Sequence, residues 1–136
     1  EDDTNRLLSV GVNLVTSVEL SLAHAEMVAV SLAQSAIGNW NLGATGGAQL
    51  VTSCEPCAMC FGAVPWSGVK SIVWGASKKD AEEAGFDEGD KPADWVESLE
   101  RRGIATYGGV LHEEARAVLL RYARRDGAII YHPEKH

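Results

Sequence analysis

The chain has 136 residues, 46% of them apolar, and a formal net charge of −7 from 12 Lys and Arg against 19 Asp and Glu. This size predicts a single domain over residues 1–136 whose core can form without disulfides. The acidic balance disfavours a nucleic-acid partner, which needs a basic face, and no apolar run approaches the roughly 18 residues of a membrane span.

Apolar and polar residues follow one another in a pattern that predicts strands interleaved with helices. In chain order, the predicted elements of the first half are a strand over 7–10, a loop over 11–23, a helix over 24–36, a strand over 48–53 and a helix over 56–66. Those of the second half are a strand over 70–75, a segment of mixed charge over 78–89 with a loop over 86–89, a helix over 92–102, a strand over 104–107 and a helix over 113–124. Strands that alternate with helices predict an α/β domain in which helices are layered on a sheet.

Glycines and prolines mark the ends of the predicted helices. Gly38 follows the first helix, where glycine commonly ends a helix. Pro56 is placed at the first position of the second helix, where its missing N–H has no partner to lose. Pro65 and Gly68 are expected to close that helix.

All the cysteines of the chain, Cys54, Cys57 and Cys60, lie in one short stretch around Pro56. An odd and clustered count favours metal binding or redox chemistry over a disulfide framework, and it predicts a reducing compartment, the cytoplasm. Cys57 and Cys60 are three positions apart, so on a helix they share one face and can bind one ion.

A Cys-x-x-Cys pair alone is equally compatible with a structural zinc site or with two buried free thiols. A structural zinc site normally has four Cys or His ligands. Apart from the pair, Cys54, His112 and His132 are the residues that could complete such a site.

The segment His24-Ala25-Glu26 shifts the interpretation towards catalysis. With Cys57 and Cys60, His24 supplies three ligands to a tetrahedral zinc and leaves one position for a water. Glu26 is the general acid/base that such a water requires. The two segments together resemble the signature of zinc deaminases, His-x-Glu followed by Pro-Cys-x-x-Cys. The sequence therefore predicts a zinc enzyme that hydrolyses an amino group from a heteroaromatic ring.

The predicted reaction follows from these four residues. A zinc-bound hydroxide attacks the ring carbon that carries the amine. Glu26 takes the proton of the water and delivers protons to the ring nitrogen and to the departing ammonia.

The resemblance extends beyond the metal motif. The run Leu50-Val51-Thr52-Ser53-Cys54-Glu55-Pro56-Cys57-Ala58-Met59-Cys60-Phe61-Gly62-Ala63, the nearby Trp66 and the segment Ala84-Gly85-Phe86-Asp87-Glu88 are similar to bacterial guanine deaminases. The likeness covers most of the chain, from about Gly11 to the C-terminal helix. The metal motif is common to all zinc deaminases, whereas the Gly-Phe-Asp-acid segment indicates guanine.

This resemblance implies a substrate, a fold and an assembly. The reaction would convert guanine to xanthine and ammonia. Asn13 would hydrogen-bond the purine, Trp66 would line the pocket, and Glu88 would recognise guanine and help to move protons. The fold would be the three-layer α/β/α cytidine-deaminase-like fold with a central mixed sheet. The protein would be a homodimer, with C-terminal segments exchanged so that Glu88 serves either its own or the partner's site.

Members of this family begin with a helix and a strand that precede the segment at Leu7. Few residues precede Leu7 here. We therefore expect the N-terminal helix and strand of the fold to be absent from this chain, and one wall of the pocket with them.

Several other functions remain compatible with the sequence. The substrate ring could instead be ammeline or another aminotriazine, cytosine, adenine, or the adenosine of a tRNA, although the acidic charge disfavours the last. A non-enzymatic zinc-binding module is the alternative of a different class. Glu26 argues against it, because a structural zinc site has no use for that carboxylate.

Overall fold

The computed structural model of the chain describes residues 5–131, and within them three strands form one parallel sheet in the order β1-β2-β3. The strands are β1 (Gln49–Cys54), β2 (Ser71–Ala76) and β3 (Ala105–Tyr107). The helices are α1 (Val15–Val18), α2 (Ala25–Ile37), α3 (Ala58–Ser67), α4 (Lys78–Glu83), α5 (Trp95–Arg101) and α6 (His112–Arg124), with a 3-10 turn at Leu42–Thr45. Parallel strands need a crossover, which α3 provides between β1 and β2, and α4 and α5 provide between β2 and β3.

The register of the sheet places Leu50 beside Ile72, and Ile72 beside Thr106. Ile72 is fully buried, as is Leu99 of α5. One apolar core lies on this face of the sheet and draws on α2, α3 and α5. Its buried members are Ala33, Leu42, Ala48, Leu50, Val64, Val69, Ile72, Trp74, Leu99 and Ile104.

Helix α6 packs on the other face of β2, to which alternate residues of the strand point. A Cβ added at Gly75 would lie 2.6 Å from the Cβ of Ala115 and 2.9 Å from the carbonyl oxygen of Ser53. Gly75 therefore allows α6 to approach the sheet closely. With helices on both faces, the domain has the expected three-layer α/β/α arrangement.

The strand predicted over 7–10 is not formed. The hydroxyl of Ser9 donates to the carbonyl of Ala29 at 2.6 Å, and a Cβ at Gly11 would collide with the carbonyl oxygen of Ala25. This segment packs along α2 instead of joining the sheet. Apolar periodicity cannot distinguish an extended segment that packs on a helix from one that pairs in a sheet. The mixed sheet implied by the resemblance is consequently absent from residues 5–131, where all pairings are parallel.

Two segments for which the sequence predicted no helix contain one. Helix α1 interrupts the segment 11–23. Helix α4 begins the segment 78–89, and a capping box starts it: Ser77 Oγ accepts the amide of Asp80 at 3.2 Å, and Asp80 Oδ2 accepts the amide of Ser77 at 2.8 Å. Ser followed three positions later by an acid is a known helix-start signal, so this helix could have been predicted from the sequence.

The start and end of α3 differ from the prediction. Cys57 is the N-cap, so Pro56 precedes the helix and does not open it. Pro65 lies inside the helix, and Gly68, with a φ of 83°, ends it alone. The other predicted helices and strands are confirmed, with ends that shift by at most three residues.

The longest helices of the described chain, α2 and α6, have 13 residues each. Between residues 5 and 131, no helix combines the length and the apolarity needed to cross a membrane.

Candidate active site

Two helix N-termini meet beyond the carboxyl end of the parallel strands, which is where α/β sheets commonly bind ligands. His24 is the N-cap of α2, and Cys57 is the N-cap of α3. The second junction follows β1 after two residues, Glu55 and Pro56. The predicted metal ligands therefore come from two separate helix starts that the fold brings together.

His24, Cys57 and Cys60 form one compact group of potential metal ligands. The Sγ of Cys57 lies 3.4 Å from the Nδ1 of His24, and the three ligand atoms all lie within 4.8 Å of one another. A tetrahedral zinc ion places its ligand atoms roughly 3.5–4 Å apart, and one imidazole with two thiolates is a typical zinc donor set. The residues present fit zinc and leave one coordination position for a non-protein ligand.

The helix start explains why both sulfurs face the same point. Cys57 lies just outside α3, and its Sγ accepts the amide of Cys60 at 3.5 Å. The thiol of Cys60, with smaller contributions from His24 and the Cys60 amide, lowers the pKa of Cys57 to about 4. The same shared hydrogen bond, followed by burial, raises the pKa of Cys60. These opposite shifts favour the thiolate on Cys57 and the thiol on Cys60.

Glu26 lies beside the ligand group but is not part of it. Its Oε2 is 3.5 Å from the Sγ of Cys60. His24 has an extended backbone, with φ −64° and ψ 157°, whereas Glu26 lies in the first turn of α2. This change of backbone conformation allows residues two apart to point towards the same place. Burial raises the pKa of Glu26, as expected of a carboxyl that exchanges protons in a secluded site.

A cavity of about 780 Å³ opens in front of this group. Its size lies within the range of about 300–1,000 Å³ that is common for small-molecule sites. The predicted site residues that line it are Asn13, His24, Glu26, Cys57 and Glu88. The fold therefore places the predicted general acid/base, two predicted metal ligands and two predicted substrate contacts around one space.

Glu88 reaches the cavity from the loop after α4. Its backbone carbonyl accepts the amide of Ala58 at 2.9 Å, which places this loop against the start of α3. Burial, followed by the negative charges of Cys57 and Glu26, raises the pKa of the Glu88 carboxyl to about 7. A carboxyl with that pKa can both accept and donate a proton near neutral pH.

Tyr131 also lines the cavity, although no sequence motif indicated it. Its hydroxyl accepts the side-chain amide of Asn13 at 2.7 Å, and its ring lies 6.2 Å from the imidazole of His24, edge to face. The lining further includes Phe86 and Met59. Phe86 lies in the Gly-Phe-Asp-acid segment, and Met59 lies between Cys57 and Cys60. Their proximity to these motifs was the only indication in the sequence that they line the cavity.

Trp66 does not lie in the cavity of its own chain. The residue is 82% exposed. The face of α3 that is buried carries Cys60, Val64 and Ser67, and helical geometry turns position 66 away from it. The expectation that Trp66 lines the pocket is therefore not met within residues 5–131.

Cys54 and His112, two of the residues that could have closed a structural zinc site, are not in the ligand group. Cys54 lines the cavity, but its thiol is directed at the carbonyl of Ser77, 3.7 Å away, and burial raises its pKa to about 12. His112 bonds Asp80 through Nε2 at 2.6 Å. His132 lies outside the described residues. In the part of the chain that the structure describes, the potential metal group has three members and no fourth.

Comparison with known proteins agrees with this geometry. The family model of the cytidine and deoxycytidylate deaminase zinc-binding region matches residues 2–76, more than half of the chain. The chain belongs to this family. Membership confirms the predicted zinc-deaminase motif, since His24, Cys57 and Cys60 all lie in the matched segment.

Individual members of the deaminase family cover different parts of the chain. Guanine deaminase of Bacillus subtilis (strain 168) is 39% identical over 94 residues, 65% of this chain and 58% of that protein. The solved structure of guanine deaminase from Nitrosomonas europaea matches with a TM-score of 0.82 at 47% identity, over 85% of this chain and 64% of that one. The tRNA-specific adenosine deaminase of Bacillus subtilis (strain 168) is 45% identical over 64 residues, 47% of this chain and 38% of that protein.

The structural match confirms the predicted cytidine-deaminase-like fold. The chain spans less than two thirds of the length of each of these relatives.

Proposed function

We propose that this chain is a zinc-dependent deaminase that converts guanine and water to xanthine and ammonia. One observation carries the proposal: a single cavity holds the His24 and Cys57 ends of the ligand group, the adjacent Glu26, and a second carboxyl, Glu88, on another element. The similarity to two guanine deaminases supports guanine over other rings.

His24, Cys57 and Cys60 would hold the zinc ion. Bound there, zinc would lower the pKa of a water in its open position and so supply a nucleophile at neutral pH. Glu26 accepts a proton on the carboxylate beside Cys60 and returns protons to the ring nitrogen and the leaving amine. Each proton taken from the water is thus delivered to the ring or to ammonia, and Glu26 is returned to its starting state.

Glu88 and Asn13 would select and orient the base. Guanine presents N–H donors on one edge, and a carboxylate can accept from two neighbouring donors at once. Asn13 is already oriented, since its Oδ1 accepts the amide of Val15 at 3.1 Å and its Nδ2 donates to Tyr131. The remaining N–H of that amide can donate to an acceptor of the purine.

An ammonia-release assay of the zinc-loaded chain tests the proposed substrate. The panel comprises guanine, cytosine, adenine, guanosine, ammeline and a tRNA anticodon stem-loop containing adenosine. We expect release from guanine alone at substantial rate. Release from another ring with none from guanine would overturn the substrate, and release from none of them would overturn the activity of this chain.

We further propose that the protein acts in the cytoplasm as a homodimer with exchanged C-terminal segments. The free thiols of Cys54, Cys57 and Cys60 suit a reducing compartment. The approach of Tyr131, near the C-terminal end, to the cavity supports a C-terminal segment that completes the pocket of its own or a partner subunit. Light scattering coupled to gel filtration should show twice the chain mass, and a monomer at working concentration would contradict the dimer.

A further inference from the structure

The ammonium of Lys91 is buried between three partners. The Lys91 side chain is 2% exposed and that of Glu55 is 11% exposed, and their Nζ and Oε1 are 2.8 Å apart. Nζ also donates to the carbonyl of Pro56 at 2.6 Å and lies 3.9 Å from the ring centroid of Trp95. A buried lysine is costly unless such partners satisfy its charge and its donors. The motif residues of the proposed reaction do not explain this arrangement.

Glu55 and Lys91 each lie close in sequence to a residue of the proposed site. Glu55 and Pro56 immediately precede the metal-ligand candidate Cys57, whereas Lys91 lies three residues after Glu88. We call residues 86–91 the acid loop and residues 55–58 the ligand strap. The Lys91 contacts connect the end of the acid loop to the beginning of the ligand strap.

A second contact joins the same two segments from the other side. The amide of Ala58 donates to the carbonyl of Glu88 at 2.9 Å. A Cβ added at Gly89, which has a φ of 71°, would lie 3.1 Å from the Cβ of Ala58, so the segments touch without room for a side chain. The acid loop is therefore attached to the strap that carries Cys57 at Glu88 itself and again, three residues later, at Lys91.

Other contacts of the acid loop shape it internally and join it to α4 and, through the stacked rings of Phe86 and Tyr122, to α6. Asp87 Oδ1 accepts the amide of Gly89 at 2.9 Å, and Nζ of Lys78 donates to the carbonyl of Gly89 at 3.1 Å. The Lys78 side chain is 35% exposed and belongs to α4. Neither the Asp87–Gly89 nor the Lys78–Gly89 contact reaches the ligand strap, whereas the contacts of Ala58 and Lys91 join the strap to the acid loop.

We propose that Lys91 is a positioning residue for the deamination, which through Glu55 and the Pro56 carbonyl fixes the Glu88 carboxyl relative to the metal ligands. The inference rests on the proposed function, because it assumes that Glu88 contacts the substrate. A buried ammonium suits this task, since its three partners together define one position for it. An apolar contact would allow the acid loop to slide along the ligand strap. Lys91 itself need not touch the substrate.

The test compares Lys91→Met, which keeps the length of the side chain but not its charge, with Lys91→Arg. The first readout is hydrogen exchange of the Ala58 amide, measured by NMR beside the amides of β2. In Lys91→Met we expect exchange at Ala58 to rise at least about tenfold while β2 is unchanged, because only the loop is released. Lys91→Arg can donate to both Glu55 and Pro56, and it should restore most of the protection.

The second readout is steady-state kinetics with guanine and zinc content. We expect Lys91→Met to lower kcat about 10²-fold at unchanged zinc content, since a misplacement of about 1 Å of a reacting group has an effect of this size. Lys79→Met is the matched control, because Lys79 is an exposed lysine of α4 and its loss changes the net charge equally. It should behave as the unaltered chain does in both readouts.

The outcomes separate this inference from the proposed function. Unchanged Ala58 exchange and kcat in Lys91→Met, or equal acceleration of exchange at Ala58 and in β2, would overturn the positioning role. If Lys91→Met does not fold, Glu55→Gln takes its place and should show the same two effects in weaker form. If the unaltered chain leaves guanine intact, the substrate proposal fails, and the exchange readout with kinetics on the ring that is deaminated still decides the role of Lys91.

Discussion

The side-chain amide of Asn13 donates a 2.7 Å hydrogen bond to the hydroxyl of Tyr131, although 118 positions separate the two residues. The Val15 amide bonds the Oδ1 of Asn13, so the opposite end of the side chain must carry the NH2 group that faces Tyr131. Both residues line the cavity. The two ends of the described chain therefore meet at the proposed substrate site.

This contact predicts that Tyr131 contributes to substrate binding. Tyr131→Phe removes the acceptor of the Asn13 amide and leaves the ring beside His24 in place. Since a hydrogen bond of this kind contributes about 0.5–1.5 kcal/mol, we expect the KM for guanine to rise about two- to tenfold with little change in kcat. Steady-state kinetics measure both constants. Tyr107→Phe, at a half-exposed position of β3, is the control, and an unaltered KM in Tyr131→Phe would remove the hydroxyl from substrate binding.

The thiols differ in their predicted contribution to metal binding. Cys57→Ser replaces a ligand with a poor zinc donor, so we expect purified protein to retain only a small fraction of one zinc per chain. Cys54→Ser should retain zinc, because Cys54 is outside the ligand group. Metal analysis of both variants after dialysis against a weak chelator makes the comparison. Equal zinc loss from the two would mean that Cys54 is a ligand and that the site is closed.

The two carboxyls of the cavity are expected to affect turnover without affecting zinc. Glu26→Gln cannot carry protons, and we expect kcat to fall about 10²–10⁴-fold at full zinc content, the usual range for loss of a general acid/base. Glu88→Gln should lower kcat/KM for guanine and alter the preference among rings. Ammonia release and metal analysis are the measurements, with the exposed Glu114→Gln as control. Zinc loss from Glu26→Gln would show that Glu26 is a ligand and not a proton carrier.

The contact between His112 and Asp80 predicts a pH-dependent stability. The amide of Ser77 first, and then its hydroxyl and His112, lower the pKa of Asp80, so this carboxyl stabilises the fold above its ordinary pKa and stops doing so as the pH falls through the lowered value. The hydrogen bond to Asp80 raises the pKa of His112, with a smaller contribution from Glu113, so the imidazolium stabilises the fold below its ordinary pKa and stops doing so as the pH rises through the raised value. The pair is fully stabilising only between the ordinary pKa values of Asp and His, about 4 and about 6.5.

Thermal unfolding of His112→Gln at two pH values tests this window. We expect the variant to melt below the unaltered chain at pH 5.5. The difference should shrink at pH 8.5, because the unaltered chain then loses the imidazolium that the variant lacks at every pH. Arg116 Nε lies 3.4 Å from the Oδ1 of Asp80 and keeps that carboxylate paired in the variant. A difference that is the same at both pH values would show that His112 acts through packing and not through its charge.

Local sequence patterns predicted most helices and strands and all three ligands of the proposed metal site. Cys57 and Cys60 are brought together by the start of one helix, and His24 and Glu26 by the start of another, so short spacings contain that information. The helix after Ser77 could also have been predicted from a short spacing, because its capping box is visible in the sequence. Residues separated by few positions have few relative arrangements, and their types restrict these further.

The tertiary structure decided which distant segments share the cavity. The approach of Glu88 to Ala58, the burial of Lys91 against Glu55 and the bond between Asn13 and Tyr131 join residues that are 30 to 118 positions apart. It also turned Trp66 outward and kept residues 7–10 out of the sheet. Periodicity shows that a segment has an apolar side, but the partner of that side depends on the path of the whole chain. For this protein, the ligand residues could therefore be named from the sequence, whereas the shape of the pocket, and the lysine that we propose to position its second acid, emerged only from the packing.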